Sequence, residues 1–561
     1  MLSLDKLKKV DTPARYTGGE ARQCIKNVAY ISKRICVAVP AMYEMGVFDF
    51  TQKEIYYTLN ANKDIWCERA FAPMEDFEKL LKDENEKLYT LESKTPLDNM
   101  DAIVFVMSSE LMYTNMLNML NLGGISILKS KRQENLPIII ATGNAVLNPK
   151  PLENFVDLYI IGEPNIVITE IVNKIDKNLS KQEILNNMKD IPGVYIPGIT
   201  DKDVHMICEL DMDKKLTPKS VVIPSIQTMM DKSIVTLSCG CDKNCITCSH
   251  KYIYGTPSYM SVDKAVLKTK KIIDSTGNAD VMLMSNCYAT YPGFPEILYK
   301  LNDLNKPNVK EISFMEVKLN KDNLWILKYM EDKEEIPSLI VGAPTKELRE
   351  KLGIYMEDDE VIYVAKEVFK AGFNKIRLKY IIGVPGETYE DFTKILNMAN
   401  KVTKVYKEVY SKSPDKFIVE INLYNFKAKP HTPSQWCALN TEESLELKVR
   451  YINEKNRNEY VIITAENSKQ TLIENLLARG NEKMGEVIYE AWKQGARNDI
   501  IQPLFTVDNW NLALNKVGVE VKEQLEELNE KKLLPWDNIV IGTSKEELRR
   551  IYVNKVKGDK W

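Results

Sequence analysis

The sequence predicts an α/β protein with a parallel sheet near the N-terminus, an open barrel of six strand–helix units and a helical C-terminal region. Near-continuous apolar runs of strand length alternate with helical stretches in the first third, which is typical of a parallel sheet covered on both faces. Strand–helix alternation returns after residue 231 and predicts a second parallel sheet. Beyond residue 437, apolar residues spaced three and four apart predict helices.

These patterns divide the chain into five regions. They are an N-terminal extension (1–33), an α/β domain (34–185), a linker (186–230), a barrel (231–436) and a helical domain (437–561). A helix is expected to begin at Thr441, which precedes two glutamates. We expect the helical domain to cap the mouth of the barrel.

The composition is that of an ordinary globular chain with room for about three domains. Its 561 residues are 44% hydrophobic and 28% charged, which argues against extended disorder. With 76 Lys and Arg against 79 Asp and Glu, the net charge of −3 indicates no dedicated nucleic-acid-binding protein. No apolar run approaches the ~18 residues that span a bilayer, and the first residues lack the apolar core of a signal peptide. We therefore expect a cytoplasmic protein without a membrane partner.

The α/β domain has predicted strands at 34–40, 66–72, 101–108, 136–143 and 157–163. Such a sheet binds ligands at its carboxyl edge. The residues that fall at this edge are Ser108, Glu110, Thr142, Gly143, Gly162 and Glu163.

The barrel has predicted strands at 234–237, 281–288, 311–317, 337–344, 374–387 and 417–426. Helices are predicted between them at 261–275, 360–371 and 389–410. Active sites of such barrels lie at the carboxyl ends of the strands.

Four of the ten cysteines crowd together just after the first barrel strand. Cys241, Cys245 and Cys248 are spaced Cys-x-x-x-Cys-x-x-Cys, and Cys239 precedes them. Only three histidines occur in the chain, so a metal centre has to rely on cysteine. Thiolates this close in sequence suit a cuboidal iron–sulfur cluster, whereas a zinc site usually takes four ligands in two separated pairs. A structural zinc knuckle or a redox-sensing cluster is the alternative.

On a loop after a first barrel strand, these cysteines resemble the radical S-adenosylmethionine superfamily. The resemblance implies a 4Fe-4S cluster held by Cys241, Cys245 and Cys248, with the fourth iron left for the amino and carboxylate groups of S-adenosylmethionine. It further implies that an electron breaks a carbon–sulfur bond of the sulfonium and yields a 5'-deoxyadenosyl radical. The implied partner is an external electron donor such as flavodoxin or ferredoxin.

Two barrel loops also resemble signatures of this superfamily. Ser285 and Asn286 stand where a Gly-Gly-Glu-like loop meets the methionyl amino group, and the loop 382–387, with Gly383 and Pro385, resembles the one beside adenine. The alternative for both is ordinary turn chemistry.

Four further side chains have two interpretations each. Cys287 is a hydrogen-atom donor or a buried small hydrophobic residue. His250 is a base for a substrate proton or a loop histidine packed on the cluster. Cys239 is a bystander or a donor near the cluster. His431 is structural or faces the substrate.

Further segments, among them ARYTGGEARQ, FKAKPHTPSQW and LLPWDNIVIGTSKEELRRIY, resemble bacterial radical S-adenosylmethionine proteins with an N-terminal cobalamin-binding-like domain. The resemblance runs from about residue 12 to about residue 555. It implies that the Rossmann-like domain contacts cobalamin through its carboxyl edge. That domain contains no histidine and no Asp-x-His-x-x-Gly loop, so no imidazole can be the lower cobalt ligand. The alternative is a domain that has lost the cofactor.

The resulting hypothesis is an iron–sulfur enzyme that cleaves S-adenosylmethionine reductively. The expected reaction is cobalamin-dependent methyl transfer to an unactivated carbon. One alternative is a cobalamin-independent enzyme that performs hydrogen abstraction, rearrangement or methylthiolation. Another is a non-catalytic iron–sulfur protein that senses redox state. The sequence does not predict the substrate.

Overall fold

The computed structural model describes residues 2–132, 136–216, 218, 221–228, 232–303, 311–330, 336–410 and 417–558. Among these residues, no helix is both long and apolar enough to cross a membrane.

The N-terminal domain is built on a six-stranded sheet in the order β2-β1-β3-β4-β5-β6. β1 to β5 are parallel and β6 is antiparallel to β5. The buried faces of these strands carry the apolar runs seen in the sequence, so the predicted Rossmann-like sheet is confirmed. The strands are β1 (Lys33–Val39), β2 (Ile65–Phe71), β3 (Ala102–Val106), β4 (Ile138–Thr142), β5 (Leu158–Ile160) and β6 (Val194–Tyr195).

Eleven further strands follow in the described part of the chain. They are β7 (Val204–His205), β8 (Ser233–Thr236), β9 (Ser238–Cys239), β10 (Ser258–Tyr259), β11 (Asp280–Met284), β12 (Glu311–Phe314), β13 (Ser338–Gly342), β14 (Lys375–Ile382), β15 (Ile418–Asn425), β16 (Val461–Ala465) and β17 (Ile539–Val540).

The barrel consists of two parallel sheets joined edge to edge. One has the order β12-β11-β8 and the other β13-β14-β15-β16, and a single bridge between Lys318 and Ser338 joins them. Six of these strands are those predicted, which confirms the open barrel. β16 adds a seventh strand inside the region that was expected to be helical.

Helices cover the sheets and form most of the C-terminal region. The predicted start at Thr441 is observed, with its side chain accepting a hydrogen bond from the amide of Ser444. The α-helices are Leu4–Leu7, Ala14–Thr17, Tyr43–Gly46, Phe50–Asn60, Glu75–Asp83, Tyr113–Leu122, Ile168–Asn173, Lys181–Met188, Ser249–Tyr254, Val262–Thr276, Phe294–Asp303, Lys346–Leu352, Asp358–Lys370, Tyr389–Val409, Glu442–Lys455, Ser468–Ala478, Glu482–Lys493, Val507–Val517, Val521–Leu525 and Lys545–Tyr552.

Short 3-10 helices connect many of these elements. They are Val28–Tyr30, Leu97–Asn99, Glu110–Met112, Lys129–Lys131, Asn144–Leu147, Lys150–Leu152, Pro164–Ile166, Leu324–Tyr329, Pro433–Trp436 and Gln502–Leu504. A π-helical turn, Val553–Lys557, follows the last α-helix.

The helices beyond residue 468 share one hydrophobic core with the N-terminal sheet, and the barrel has its own core. Hydrogen bonds join the two halves of the shared core. Thr114 donates to Asp499 over 2.6 Å, and Asn148 donates to the carbonyl of Gly480 over 2.7 Å. The structure therefore packs these helices on the N-terminal domain.

Lys429 links the two domains through its ammonium group. The Nζ atom lies 2.7 Å from Glu110, in the loop after β3, and 2.6 Å from Glu474, on the helix that follows β16. Burial raises the pKa of Glu110, whereas the attraction of Lys429 and Lys427 outweighs the burial of Glu474 and lowers its pKa to about 2. The ammonium group thus allows two close carboxylates to remain inside the protein.

We expect Lys429→Met to lower the free energy of unfolding by about 3 kcal/mol, because it leaves both carboxylates without their shared cation. Chemical denaturation at neutral pH measures this loss. The loss should shrink as the pH falls from about 4.3 towards 2, since protonated Glu474 no longer gains from the lysine. Lys516→Met, which removes an exposed ion pair with Glu490, is the control and should cost less than about 1 kcal/mol. Equal losses in both variants would contradict a linking role.

Candidate active site

The loop that carries Cys241, Cys245 and Cys248, called the cysteine loop below, leaves the barrel just after the first barrel strand, β8. β9 and β10 pair antiparallel, with Cys239 opposite Ser258, and close the loop at its base. Gly240 has a φ of +74°, and an added Cβ would lie 2.5 Å from the carbonyl oxygen of Thr256. Only glycine allows this tight entry into the loop.

Two distant parts of the chain, around residues 352–353 and at Ser434, hold the loop in place. The amide of Ile246 donates to the carbonyl of Leu352 over 3.0 Å, and its own carbonyl accepts from the amide of Ser434 over 3.1 Å. Gly353 approaches so closely that an added Cβ would lie 2.0 Å from the carbonyl oxygen of Asn244. The loop is therefore shaped by its protein surroundings.

The three predicted ligands lie on this loop with different exposure. Cys241 and Cys245 are half-buried and Cys248 is exposed. The Cys287 thiol and the amide of Lys243 donate to the sulfur of Cys241 and lower its pKa to about 6, whereas burial raises the pKa of Cys245 to about 12. Three thiols on one short, open-sided loop are a donor set that fits an iron–sulfur cluster with one iron left for a small ligand.

The loop after β11 lies beside the cysteines. The hydroxyl groups of Ser285 and Ser238 are 2.7 Å apart, and the amide of Asn286 donates to Ser238 over 3.3 Å. The sulfur of Cys287 is 3.8 Å from that of Cys241 and 3.2 Å from a carboxylate oxygen of Asp242. The structure thus brings Ser285, Asn286 and Cys287 to the cysteine loop.

The loop after β14 is held by hydrogen bonds and an ion pair. The amide of Gly383 donates to Glu387 over 2.5 Å, and its carbonyl accepts from the side chain of Asn440 over 2.8 Å. Lys448 lies 2.6 Å from Glu387 and completes this network. Gly383 and Pro385 therefore belong to a fixed loop at the carboxyl edge of the barrel.

The two histidines considered in the sequence analysis, His250 and His431, both pack against other protein groups. His250 packs on the Tyr254 ring at 4.9 Å, and burial lowers its pKa to about 4, so the imidazole is neutral at pH 7. His431 is buried with its Nε2 atom 3.0 Å from the carbonyl oxygen of Leu147, in the N-terminal domain. This contact favours a structural role for His431 between the domains.

Cys239 contacts the segment that precedes the barrel. Its sulfur contacts the carbonyl oxygen of Leu210 at 3.7 Å, and the residue is buried. This contact favours the interpretation of Cys239 as a bystander.

The two glycines at the edge of the N-terminal sheet lie under other backbone segments. An added Cβ at Gly143 would lie 2.4 Å from the carbonyl oxygen of Met107, and at Gly162 only 1.9 Å from that of Ile207. Their φ angles are +108° and +112°. Close backbone approach therefore accounts for both glycines.

The polar residues of this edge contact other protein groups. Thr142 donates to the carbonyl of Ile160 over 3.0 Å, and Glu163 lies 2.5 Å from Lys215. Glu110 is bound by Lys429, as described above, and only Ser108 is exposed. Contact of these six edge residues with a corrin ring therefore stays a prediction.

Sequence analysis did not identify the polar interior of the barrel. Arg377 pairs with Glu420 at 2.7 Å, Lys379 pairs with Glu316, and Thr464 donates to Asn422 over 2.8 Å. The signal was present in β14, where Lys375, Arg377 and Lys379 alternate with apolar residues. Such alternation indicates that one face of a parallel strand is polar.

A cavity of about 300 Å³ lies between the helix Phe50–Asn60 and the first barrel strand. Thr236 and Met284, at the carboxyl ends of β8 and β11, contribute to its wall, together with Glu54 and Lys268. Burial raises the pKa of Glu54 to about 7 and lowers that of Lys268 to about 8. The cavity therefore lies between the two domains, and its wall contains both acidic and basic side chains.

Parts of this chain are similar in sequence to a known protein family and to individual proteins. Residues 51–197 match the family described as "Radical SAM proteins, N-terminal". An uncharacterized protein of Methanocaldococcus jannaschii is 25% identical over 72% of this chain and 84% of its own length. The tRNA-2-methylthio-N(6)-dimethylallyladenosine synthase of Clostridium beijerinckii is 21% identical over 50% of this chain and 59% of its own length. The similarity to this Clostridium synthase thus spans about three fifths of the length of the synthase.

Two solved structures of a radical S-adenosylmethionine methyltransferase, TsrM from Kitasatospora setae, are also similar. One, with tryptophan and an S-adenosylmethionine analog bound, has 11% identity and a TM-score of 0.45 over 70% of this chain and 73% of that one. The other, with cobalamin and a [4Fe-4S] cluster bound, has 10% identity and a TM-score of 0.47 over 74% and 75%. The family match covers residues 51–197 of the N-terminal domain and agrees with the resemblance of the cysteine motif, which lies further along the chain.

Proposed function

We propose that this enzyme holds a 4Fe-4S cluster on Cys241, Cys245 and Cys248 and cleaves S-adenosylmethionine reductively. The observation that supports this most directly is the open three-cysteine loop at the carboxyl end of the first barrel strand. When bound, the cluster would supply the electron that breaks a carbon–sulfur bond. The proposed electron donor is a flavodoxin or ferredoxin in the cytoplasm.

Two loops are proposed to position S-adenosylmethionine. The hydroxyl of Ser285 is engaged by Ser238, so the side chain of Asn286 is the group of this loop left for the methionyl end. The fixed loop of Gly383 and Pro385 would pack beside adenine. Its network with Glu387 holds the backbone still, so little ordering entropy is lost on binding.

The substrate is proposed to bind in the cavity between the domains. The cavity wall runs along the first barrel strand from Ser233 to Thr236, so a substrate would reach the strand end that precedes the cysteine loop. Glu54 and Lys268 would orient its polar groups. The apolar wall would exclude water from a reactive intermediate.

For the reaction itself, we propose cobalamin-dependent methyl transfer to an unactivated carbon. The link between Glu110, after β3, and Lys429, after β15, supports this proposal, because it brings the carboxyl edges of both sheets to one interface. A corrin between these edges would face the barrel. Because Glu110, Thr142, Gly143, Gly162 and Glu163 contact other protein groups, the corrin would rest mainly on Ser108 and on further groups of the edge.

A second candidate is cobalamin-independent methylthiolation. The contacts already made by the edge residues favour it, and so do relatives described as tRNA methylthio-adenosine synthases. The charge of the chain does not indicate a nucleic-acid substrate. The two candidates differ in whether the N-terminal domain binds a corrin.

Protein produced in cells supplied with cobalamin is expected to retain about one corrin per chain, measured by absorption after denaturation. Ser108→Trp, at the exposed edge position, should lose the corrin while keeping its iron, and Leu533→Trp, on an exposed loop, should keep both. Corrin-free protein that still forms 5'-deoxyadenosine from S-adenosylmethionine and a strong reductant would favour methylthiolation. Isotopically labelled S-adenosylmethionine with cell extract then shows whether a methyl group is transferred.

A further inference from the structure

Cys241, Asp242 and Cys287 form a compact cluster of metal-binding atoms that differs from the set of predicted cluster ligands. Their two sulfurs and one carboxylate oxygen all lie within 4.8 Å of one another. The sulfurs are 3.8 Å apart, and the oxygen is 3.2 Å from Cys287 and 4.0 Å from Cys241. Cys245 and Cys248 are outside this group.

These distances match the ligand spacing around a single tetrahedral ion. Two thiolates bound to zinc at about 2.3 Å with tetrahedral angles are about 3.8 Å apart, and a carboxylate oxygen bound at about 2.0 Å lies about 3.5 Å from each sulfur. Thiolates on different irons of a cubane are separated more widely, because an iron–iron edge lies between their metals. The arrangement therefore suits one metal ion better than two corners of a cluster.

Neighbouring groups hold these ligands in position. Lys243 contacts the second carboxylate oxygen of Asp242 at 3.0 Å, and its amide donates to the sulfur of Cys241 over 3.5 Å. The amide of Cys287 donates to Ser285, which is anchored to Ser238. Such outer contacts fix ligand orientation in metal sites. Cys287 is buried and Cys241 is half-buried, so the ion would be only partly accessible to water.

We propose that Cys241, Asp242 and Cys287 form a mononuclear site for a tetrahedral divalent cation, zinc by ligand chemistry, in the cluster-free protein. Binding takes two thiolates and one carboxylate from the protein and a water as fourth ligand, and the two thiols release their protons to solvent. Cys241 is also a proposed cluster ligand. Occupation by zinc and assembly of the cluster therefore exclude each other.

The test is anaerobic titration of the cluster-free full chain with Co²⁺, followed by thiolate-to-cobalt charge-transfer and d–d absorption. We expect one tetrahedral Co²⁺ per chain, displaced by Zn²⁺. Cys287→Ser should weaken binding more than about 100-fold, because even outer contacts are worth about 10- to 100-fold. Cys248→Ala should bind Co²⁺ like the unchanged protein.

In an assay of iron–sulfur cluster assembly, we expect the two variants to behave in the opposite way to their Co²⁺ binding. This difference allows the proposed zinc site and the proposed function to be tested separately. Cys248→Ala should fail to assemble the cluster, whereas Cys287→Ser should assemble it, and zinc added first should slow assembly only when Cys287 is present. Equal Co²⁺ affinity in the unchanged protein and Cys287→Ser would overturn the site. So would loss of Co²⁺ binding in Cys248→Ala, because the cation would then rest on the cluster cysteines. Failed cluster assembly with intact Co²⁺ binding would contradict the proposed function alone.

Discussion

Alanine at Cys241, Cys245 or Cys248 is expected to abolish the iron–sulfur cluster, whereas alanine at Cys239 is expected to leave it intact. Anaerobic reconstitution of the unchanged protein should give about four irons and four sulfides per chain. Removal of one of only three thiolate ligands exposes a second iron, so the cluster is lost together with 5'-deoxyadenosine formation. Iron and sulfide analysis and the visible absorption of the cluster measure the effect.

Cys248 gives the cleanest form of this experiment. It is exposed, so its replacement leaves no cavity in the core and should not change the unfolding midpoint. Cys239 is the matched control, because it is a neighbouring thiol whose sulfur contacts the carbonyl oxygen of Leu210. A full cluster in Cys248→Ala, or a lost cluster in Cys239→Ala, would show that the ligand assignment is wrong.

Gly353→Ala is expected both to destabilise the barrel and to deplete the cluster. The added methyl group would lie 2.0 Å from the carbonyl oxygen of Asn244, between the first two cysteine ligands, and the φ angle of +73° disfavours any side chain. The left-handed conformation costs about 1–2 kcal/mol. Displacement of the loop backbone adds about 1–3 kcal/mol. Denaturation and iron content per chain measure the two effects.

Gly372→Ala separates backbone strain from displacement of the loop. Gly372 also has a positive φ, +93°, but an added Cβ would meet nothing within 4 Å. This variant should lose only the roughly 1–2 kcal/mol of conformational strain and keep its irons. If both variants retained the same iron content, close packing on Asn244 would not be what shapes the cysteine loop.

Much of the fold could be predicted from the sequence because it depends on local patterns. The apolar runs of β1 to β5 and the alternation of barrel strands and helices are periodic signals. The helix start at Thr441 follows from a capping residue before two glutamates. β16 was not predicted, since Val461–Ala465 is short and lies between two helices, and only its pairing with β15 makes it a strand.

For the candidate site, the sequence likewise predicted only those features that depend on residues close together in the chain. The spacing of Cys241, Cys245 and Cys248 is a sequence property and indicated the chemistry directly. Gly143 and Gly162 were predicted to lie at a cofactor edge, which stays a prediction, and the structure adds that backbone from other segments packs on both of them. The sequence also gave no sign that Cys287 and Asp242 meet, because they lie on separate loops that come together only in the folded barrel.

By itself, the sequence determined the two parallel α/β units and the three closely spaced thiols, on which the proposed radical chemistry rests. These features depend on residues that are near one another in the chain, where spacing and periodicity are readable. Only the tertiary structure decided that the C-terminal helices share the N-terminal core, that Lys429 ties Glu110 to Glu474, and that Cys287 lies against Cys241. Such contacts join residues far apart in sequence, and they depend on the three-dimensional packing of whole elements, which no local pattern records.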